Sequence, residues 1–380
     1  MKRPALPAEH DRHEFAQPRR PRRRRRIVAL AGGAVALGIL TVGAVAVAQL
    51  QGNLSTAPIR PASAGEASAD PSVPEATGPI NLLLLGSDGR ALESDEFGED
   101  DGTERSDAMV LAHISGDTTR IDAVQLPRDT VMDLPACADT GRGAMAGGQG
   151  MLNSALNYGP ACSVAAVEQL TGVHVDHFVQ MDFEGFIGMV DALGGIDVCL
   201  PEPLEDGHAL LNLPAGEQAI GGADALALAR TRHALAGGSD IARLGHQQMV
   251  LSAIVQKATT AEVLIRPDRL YAFLDAATAS MTVDPGLGGL NDLVSLAARI
   301  VKVPLGDITF LTMPWGEAPQ DPNRVVPAAD AEIVFQALRD DAPLELASDS
   351  EPTEADPEQS GSRQPAQAVH RSADTDLCVG

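Results

Sequence analysis

Six arginines stand in short polar segments that adjoin apolar runs. They are Arg90, Arg105, Arg128, Arg230, Arg232 and Arg243. A guanidinium group presents a planar fork of donors that matches the oxygens of a phosphate or a carboxylate. Because six such groups gather only around anions, two interpretations are open. Internal carboxylates could hold the arginines in a salt-bridge network, or the arginines could form a clamp for a phosphate-bearing ligand.

Two aspartates lie in the same segments as these arginines. Asp88 stands two residues before Arg90, and Asp107 stands two residues after Arg105. Carboxylate oxygens are the hard ligands that divalent cations such as Mg²⁺ prefer. A cation held jointly by the two aspartates would neutralise a pyrophosphate and stabilise charge on its leaving group.

The spacing of the later residues predicts that they share a surface. Asp240, Arg243 and Gln247 are spaced i, i+3 and i+7, so they lie on one face of a helix. Arg230 and Arg232 point the same way if the stretch that holds them is extended.

Apolar runs and capping residues predict the elements that position these side chains. Short apolar runs predict strands at 80–85, 108–114, 120–126, 177–181, 196–200 and 308–312. Helical spacing predicts helices at 161–170, 183–193, 223–229, 240–257, 267–279, 289–301 and 328–339. Asp182 and Ser239 are predicted N-caps. Interleaved strands and helices indicate a layered α/β domain, with polar residues at the strand ends forming the site.

An uncharged apolar run at 27–48 follows an arginine-rich segment at 1–26. About 20 apolar helical residues span a bilayer, and basic flanks stay in the cytosol. The pattern predicts a transmembrane signal anchor in the cell membrane, with the remaining chain extracytoplasmic; a cleaved signal peptide is the alternative. A flexible stalk at 49–76 is predicted to lead to one domain at 77–342, followed by an acidic disordered tail at 343–380.

Charge and cysteine content limit the class of protein. The net charge is −24, although basic residues crowd the first 26 positions, so the acidic body repels polyanions and a nucleic-acid partner is not expected. An exported compartment permits disulfides. Cys137 and Cys162 flank a glycine-rich loop and could close it, whereas the pairing of these two with Cys199 and Cys378 stays open.

Taken in order, these segments resemble the LytR–CpsA–Psr family, and the predicted anchor and acidic tail look like those of its actinobacterial members. The resemblance covers about 80–258, with weaker similarity to about 340. Its matching motifs are Gly86-Ser87-Asp88-Gly89-Arg90, Arg105-Ser106-Asp107, Pro127-Arg128-Asp129, Leu152-Asn153-Ser154-Ala155, Val175-Asp176-His177-Phe178-Val179, Asp191-Ala192-Leu193-Gly194-Gly195-Ile196, Ala225–Arg232 and Ser239-Asp240 with Arg243 and Gln247-Gln248. The resemblance implies a three-layer α/β/α fold around a central mixed sheet.

The resemblance also implies an activity. A polyprenyl-pyrophosphate-linked glycan would be the donor, a peptidoglycan hydroxyl the acceptor, and polyprenyl phosphate the released product. The six arginines would contact the pyrophosphate with Gln247 beside them, and Asp88 and Asp107 would bind Mg²⁺ or Mn²⁺. Asp129 and Asp240 would orient arginines or act as a base.

An apolar pocket for the lipid is the remaining expectation. Phe183, Phe186, Ile187 and Val190 fall on one helical period and could line it, although ordinary core packing explains each of them as well.

Three other functions stay open. The domain could be a sensor that binds lipid pyrophosphates without turnover, a pyrophosphatase, or a transcriptional regulator, although the acidic, exported body opposes the last.

Two residues depart from the family pattern. His246 stands where the family commonly has arginine, and Met151 replaces a usual basic residue. His246 could donate to phosphate when protonated or be a plain surface residue.

Overall fold

The computed structural model describes residues 22–60, 78–88, 104–207, 209, 211–231, 240–344 and 370–374. In chain order its strands are β1 (Ser55–Thr56), β2 (Ile80–Ser87), β3 (Ser106–Ile114), β4 (Ile121–Gln125), β5 (Val131–Leu134), β6 (Gly148–Met151), β7 (His177–Asp182), β8 (Ile196–Leu200), β9 (Leu204–Asp206), β10 (Leu211–Leu213), β11 (Gly216–Ile220), β12 (Met281–Val283), β13 (Ile308–Thr312), β14 (Trp315–Ala318), β15 (Asp321–Pro327) and β16 (His370–Ser372).

The helices alternate with these strands. They are α1 (Arg22–Asn53), α2 (Pro160–Thr171), α3 (Phe183–Ala192), α4 (Gly222–Arg230), α5 (Asp240–Ala258), α6 (Ala261–Leu264), α7 (Pro267–Ala279), α8 (Leu290–Ile300) and α9 (Ala331–Arg339), with a 3₁₀ helix at Leu152–Tyr158. Asp182 caps α3 as predicted, because its carboxylate accepts a hydrogen bond from the Gly185 amide at 2.8 Å. The predicted cap Ser239 lies outside the described residues.

A mixed sheet forms the centre of the domain. Among the described residues its strand order is β1-β12-β7-β2-β3-β4-β13-β16. Strand β3 is antiparallel to both β2 and β4, whereas β7 is parallel to β2 and β13 is parallel to β4. The carboxyl ends of β2, β4, β7 and β13 therefore lie at the same end of the sheet as the start of β3.

Side chains alternate between the two faces of this sheet and build two apolar cores. One core packs under α2 and α9 and contains Leu83, Leu85, Leu111, Val124, Val164, Val167, Phe335 and Leu338. The other packs under α5 and α8 and contains Leu82, Val110, Ala123, Phe310, Leu296, Leu251 and Val255. Helices thus cover both faces, so the predicted mixed-sheet α/β architecture is confirmed.

A third core lies beside the sheet. It joins α3, α4 and α5 to the small strand pairs β8–β11 and β9–β10, and contains Val190, Leu193, Val198, Leu213, Leu228 and Val250. α4 ends at Arg230 and α5 carries Arg243. The packing of this core therefore fixes the backbone positions of two of the predicted site arginines.

The regions on either side of the predicted domain contribute to the sheet. Ser55–Thr56, in the predicted stalk, pairs with β12 as an outer strand, and His370–Ser372, in the predicted tail, pairs with β13 at the other side. These parts of the stalk and tail are therefore folded, which corrects the predicted boundaries. The strands are too short for an alternating sequence pattern to reveal them.

Contacts divide the chain into two compact units, Met1–Ala48 and Gln49–Gly380. The predicted anchor, 27–48, lies within α1. Its exposed apolar side chains include Leu30, Leu37, Leu40, Val42, Val45 and Val47. Within the described ranges, however, none of the helices has both the length and the apolar character needed to cross a bilayer.

Gly222, the first residue of α4, tests the packing that places Arg230. A methyl group added at Gly222 would lie 2.3 Å from the Ile187 carbonyl oxygen of α3, which is backbone and cannot swing away. We expect Gly222→Ala to lower the free energy of unfolding by about 1–3 kcal/mol. Thermal and denaturant unfolding measure this change.

Gly245→Ala is the matched control for the Gly222 substitution. Gly245 lies inside α5, and no atom of the described residues comes within 4 Å of the added methyl group. Alanine favours a helix over glycine by up to about 1 kcal/mol, so this variant should be more stable than the parent. Equal effects of the two substitutions would contradict the close packing of α3 against α4.

Candidate functional site

Strands β2 and β3 bring the first two predicted segments together. The Asp88 amide donates to the Arg105 carbonyl at 3.0 Å, and the Arg105 amide donates to the Asp88 carboxylate at 2.6 Å. The pairing register skips one residue, because Gly86 faces Ala108 whereas Ser87 faces Ser106. Asp107 is therefore the extra residue of a β-bulge, a device that redirects a side chain at a strand end.

Ion pairs connect this bulge to the end of β4. The Arg128 guanidinium pairs with the Asp107 carboxylate, and its Nε lies 3.4 Å from Asp129 Oδ2. Asp129 Oδ1 in turn accepts from Arg324 Nη1 at 3.1 Å. Each of these three β3–β4 side chains is about 11–15% exposed. The salt-bridge interpretation is thus correct for Arg128, whose guanidinium is held in a fixed orientation.

Helix α5 reaches the same place from the other side. Gln247 accepts from the Gln125 side-chain amide at the end of β4 and donates to the Ala229 carbonyl at 3.2 Å. Ala229 directly precedes Arg230, and Arg243 lies one turn before Gln247 with only 3% of its surface exposed. One glutamine therefore joins the three segments that carry Arg128, Arg230 and Arg243.

Arg230 packs on an aromatic ring at the start of α3. Its Cζ lies 4.5 Å from the centroid of the Phe183 ring, a cation–π contact. The condition under which Arg230 and Arg232 would point the same way is not met at Arg230, because Arg230 ends α4 and the chain becomes extended only at Thr231. The contact brings the first predicted lipid-pocket residue against a predicted phosphate-binding residue.

The other predicted lipid-pocket residues lie farther along α3. Phe186 and Ile187 are partly buried, whereas Val190 is fully buried in the third core. Val190 thus packs as an ordinary core residue here. The described residues establish a shared helix for all four side chains, and their role toward a lipid stays a prediction.

Glu104 is a site residue that the sequence did not reveal. Its carboxylate accepts hydrogen bonds from Ser87 Oγ and from the Gln180 side-chain amide, and it pairs with Arg142. Its backbone amide donates to the Asn157 side chain at 2.9 Å. Glu104 therefore ties β2, β7, the 3₁₀ helix and the glycine-rich loop together beside Asp88. Its position directly before Arg105 was the only available signal.

Arg142 is a basic residue near the site that the motifs did not include. It stands at the tip of a loop between β5 and β6 and keeps about half of its side chain exposed. The Asp139 carboxylate shapes the loop, because it accepts from the amides of Gly141 and Gly143. Arg142 thus adds a basic residue, whereas Met151 replaces the basic residue that is usual in the family.

The metal-binding role of Asp88 and Asp107 stays a prediction. Within the described ranges, no group of three or more His, Cys, Asp or Glu residues is placed to hold a metal. Mg²⁺ commonly takes one or two carboxylates and completes its shell with water and substrate phosphates. Asp88 and Asp107, which stand on either side of the hydrogen bonds between Asp88 and Arg105, would supply two such carboxylates.

His246 is not a surface residue. It is nine-tenths buried on α5, and its Nδ1 has no hydrogen-bond partner within the described part of the chain. Burial lowers the pKa of the imidazole below its ordinary value, because the charged form loses its hydration. At neutral pH His246 is therefore uncharged and does not supply the cation that an arginine would.

The buried His246 should make stability fall on the acid side. Above the unfolded-state pKa of about 6.5, both states are neutral and the contribution is complete. As the pH falls below that value the unfolded state binds a proton first, so the free energy of unfolding falls by up to about 1 kcal/mol between pH 7.5 and 5.5. In His246→Gln we expect this part of the acid-side loss to disappear. Urea unfolding at both pH values measures it, and an unchanged slope would contradict the neutral state.

The remaining predicted residues fall partly outside the structure. Arg90 and Arg232 lie outside the described residues, and for Asp240 only the backbone, which starts α5, is described. Arg105 stands beside Asp88 at the start of β3. The structure therefore brings together the segments of Asp88, Arg105, Asp107, Arg128, Asp129, Arg230, Arg243 and Gln247.

Comparisons with known proteins identify the family of the chain. Residues 47–340 match the LytR_cpsA_psr family. The cell wall biosynthesis protein LcpA of Corynebacterium glutamicum is 31% identical over 266 residues, which are 63% of this chain and 50% of LcpA. A Bacillus anthracis protein named polyisoprenyl-teichoic acid–peptidoglycan teichoic acid transferase TagU is 31% identical over 184 residues, 48% of this chain and 54% of TagU.

A solved structure supports the fold. The LytR-Csp2A-Psr enzyme from Actinomyces oris superimposes with a TM-score of 0.56 and 25% identity, covering 75% of this chain and 96% of that one. The match to the two curated relatives spans only about half of their length.

Proposed function

The chain belongs to the LytR_cpsA_psr family, and from that premise we propose that it is a transferase of cell-wall glycopolymers. Its donor is a glycan linked to a polyprenyl pyrophosphate, its acceptor is a peptidoglycan hydroxyl, and its lipid product is a polyprenyl phosphate. The names of the relatives support this proposal, since one is called a cell wall biosynthesis protein and another a teichoic acid transferase acting on peptidoglycan.

One observation carries the proposal: three arginine-bearing segments meet at the end of β4. Arg128 is oriented by Asp107 and Asp129, Arg230 is placed on Phe183, and Arg243 is buried on α5. Guanidinium groups fixed in this way require no reorganisation to hold a diphosphate, which is the condition for strong electrostatic stabilisation of a phosphoryl-transfer transition state.

Asp88 and Asp107 would hold Mg²⁺ or Mn²⁺ on the diphosphate. When bound, the cation supplies positive charge that neutralises the diphosphate and stabilises the leaving group. The Asp88 carboxylate accepts a hydrogen bond from the Arg105 amide, and the bulge directs Asp107 towards Arg128. The cation and the arginine would then share one carboxylate.

In the transfer step the acceptor hydroxyl oxygen attacks the phosphorus that carries the glycan. A new P–O bond forms, the bridging P–O bond breaks in line with it, and polyprenyl phosphate leaves. Asp129 is already bound to Arg128 and Arg324, so it orients arginines. We assign the hydroxyl proton to Asp240, to which the family resemblance gives the role of a base.

Phe183 relates the lipid to the phosphate end of the donor. Since its ring lies against Arg230, a diphosphate at the arginines would place the first isoprene unit toward α3. Phe186 and Ile187 then contact the lipid farther along the helix, while Val190 supports them from the core.

We further propose that the domain lies outside the cytosol. The exposed leucines and valines of α1 suit an apolar surrounding and follow the arginine-rich start of the chain. Cys199 is disulfide-bonded, which is typical of proteins that fold in an oxidising compartment.

A reconstituted reaction tests the proposed function. The full chain in detergent is given a polyprenyl-pyrophosphate glycan, peptidoglycan fragments and Mg²⁺, and both lipid and glycan products are followed by mass spectrometry. We expect polyprenyl phosphate and glycan-bearing peptidoglycan in equal amounts, and none with EDTA. Donor binding without product would indicate a sensor, and lipid release with free glycan phosphate would indicate a pyrophosphatase; either result would overturn the transferase.

A further inference from the structure

The glycine-rich loop between β5 and β6 begins at a cysteine that faces another cysteine. Cys137 is 4% exposed and Cys162, in the first turn of α2, is fully buried. Both belong to the same apolar core, both are free thiols, and the two thiols are in hydrogen-bonding contact. The two thiol groups therefore lie beside each other in this core.

The backbone around both cysteines is held in place independently of the thiols. Cys137 and Met145 exchange two hydrogen bonds, at 2.8 and 3.0 Å, which close the base of the loop. Thr140 Oγ1 donates to the Tyr158 carbonyl at 3.2 Å, directly before the turn that leads into α2. The loop thus lies on the start of α2 at a second point.

The tip of this loop reaches the candidate site. Arg142 lies between Gly141 and Gly143, which both have positive φ, and it pairs with Glu104. Glu104 in turn holds Ser87, next to Asp88. Anything that fastens the base of the loop therefore also fixes a basic residue beside the proposed metal ligand.

The chain also contains an oxidised cysteine elsewhere. Cys199 on β8 is disulfide-bonded. A chain that folds with one disulfide meets an oxidant while it folds, and two adjacent thiols in the same chain meet the same oxidant.

We propose that Cys137 and Cys162 form a second disulfide, which fastens the loop at 138–147 to α2 and keeps Arg142 at Glu104. The two thiols lose two protons and two electrons, and the S–S bond forms. A disulfide-bearing thiol oxidoreductase accepts them through a mixed disulfide and is released as its dithiol. The proposal shares the extracytoplasmic placement with the proposed function but does not depend on catalysis.

The environment of Cys162 determines when this bond forms. Burial raises the pKa of the Cys162 thiol to about 12, and the Cys137 thiol beside it adds to the shift. The thiolate is the attacking species, so the folded, reduced protein exchanges slowly. The bond therefore forms before the core closes, and the same burial protects it from reductants afterwards.

Peptide mapping of the full chain tests the pairing directly. The protein is secreted into an oxidising compartment, purified in detergent without reductant, denatured with N-ethylmaleimide and digested. We expect a linked peptide pair that contains Cys137 and Cys162 and disappears on reduction. Two alkylated peptides at these positions, in a digest that still contains the Cys199 disulfide, would overturn the proposal. Because this measurement follows a covalent bond, its failure would leave the transferase proposal intact.

Loop stability gives a second measurement. We expect the double variant Cys137→Ala/Cys162→Ala to melt lower by on the order of 5–10 °C, since a disulfide closing a loop of this length stabilises by a few kcal/mol. Trypsin should cut after Arg142 several-fold faster in the variant, whereas its cleavage after Lys302, which lies in an exposed turn, should not change. Equal cleavage after Arg142 in parent and variant would overturn the fastening of the loop.

Discussion

Arg243→Lys is expected to lower the rate of glycan transfer about 100-fold or more while the domain stays folded. Lysine keeps the positive charge and most of the apolar stem, but it cannot present the planar fork that binds two phosphate oxygens at once. In a buried site one misplaced donor to a developing negative charge costs about 10²–10³ in rate. Arg243 is 3% exposed and lies one turn from the glutamine that joins α4 and β4, so its guanidinium acts in a buried environment.

Arg299→Lys is the matched control for this substitution. Arg299 on α8 donates to the Gly78 carbonyl at 2.7 Å, at the start of β2 and thus at the opposite end of the sheet from the site. The two variants are compared by single-turnover transfer and by thermal unfolding. A fully active Arg243→Lys with wild-type kcat would contradict a direct role in binding the diphosphate.

Asp107→Asn is expected to weaken binding of the metal and to abolish most of the transfer activity. Asparagine keeps the size of the side chain but loses the charge that a Mg²⁺ or Mn²⁺ ligand supplies. Arg128 keeps the Asp129 carboxylate, so we expect the fold to persist. The rate of transfer should fall by about 10²–10³, which is the scale of losing electrostatic stabilisation of the leaving group.

Metal binding separates this effect from a general loss of structure. Mn²⁺ bound in the presence of a diphosphate, followed by electron paramagnetic resonance, should weaken in Asp107→Asn. Asp197→Asn is the control, because Asp197 is 72% exposed on β8 and pairs with Lys257 away from the site. Wild-type Mn²⁺ affinity in Asp107→Asn would exclude this residue as a metal ligand.

Local patterns predicted most of the elements that build the site. The apolar run after Pro79, the hairpin of β3 and β4, the Asp182 cap and the period of α5 all lie where the sequence indicated. Each depends on residues that are close in the chain, where propensity and capping act directly. The strand order β12-β7-β2 depends on contacts between distant residues and left no comparable pattern.

The unpredicted parts of the site have a common physical cause. Glu104 acquires its role from four partners that are distant in sequence or lie in turns, and a bulge at Asp107 changes which side chains face each other. His246 shows the opposite limit, because one histidine on a helix cannot be assigned to the surface or the interior until its neighbours are placed. Tertiary packing, rather than local preference, decides all three.

The short strand at His370–Ser372 has a consequence for any shortened form of the chain. It covers the outer side of β13 and ends with Ala373, whose carbonyl accepts hydrogen bonds from Ser252 and Gln256 of α5. A chain that stopped at residue 344 would present a bare row of peptide donors and acceptors along β13, which is the usual template for edge-to-edge self-association of sheets. The strand at His370–Ser372 thus protects the edge of the sheet from self-association, although it is distant in sequence from the candidate site.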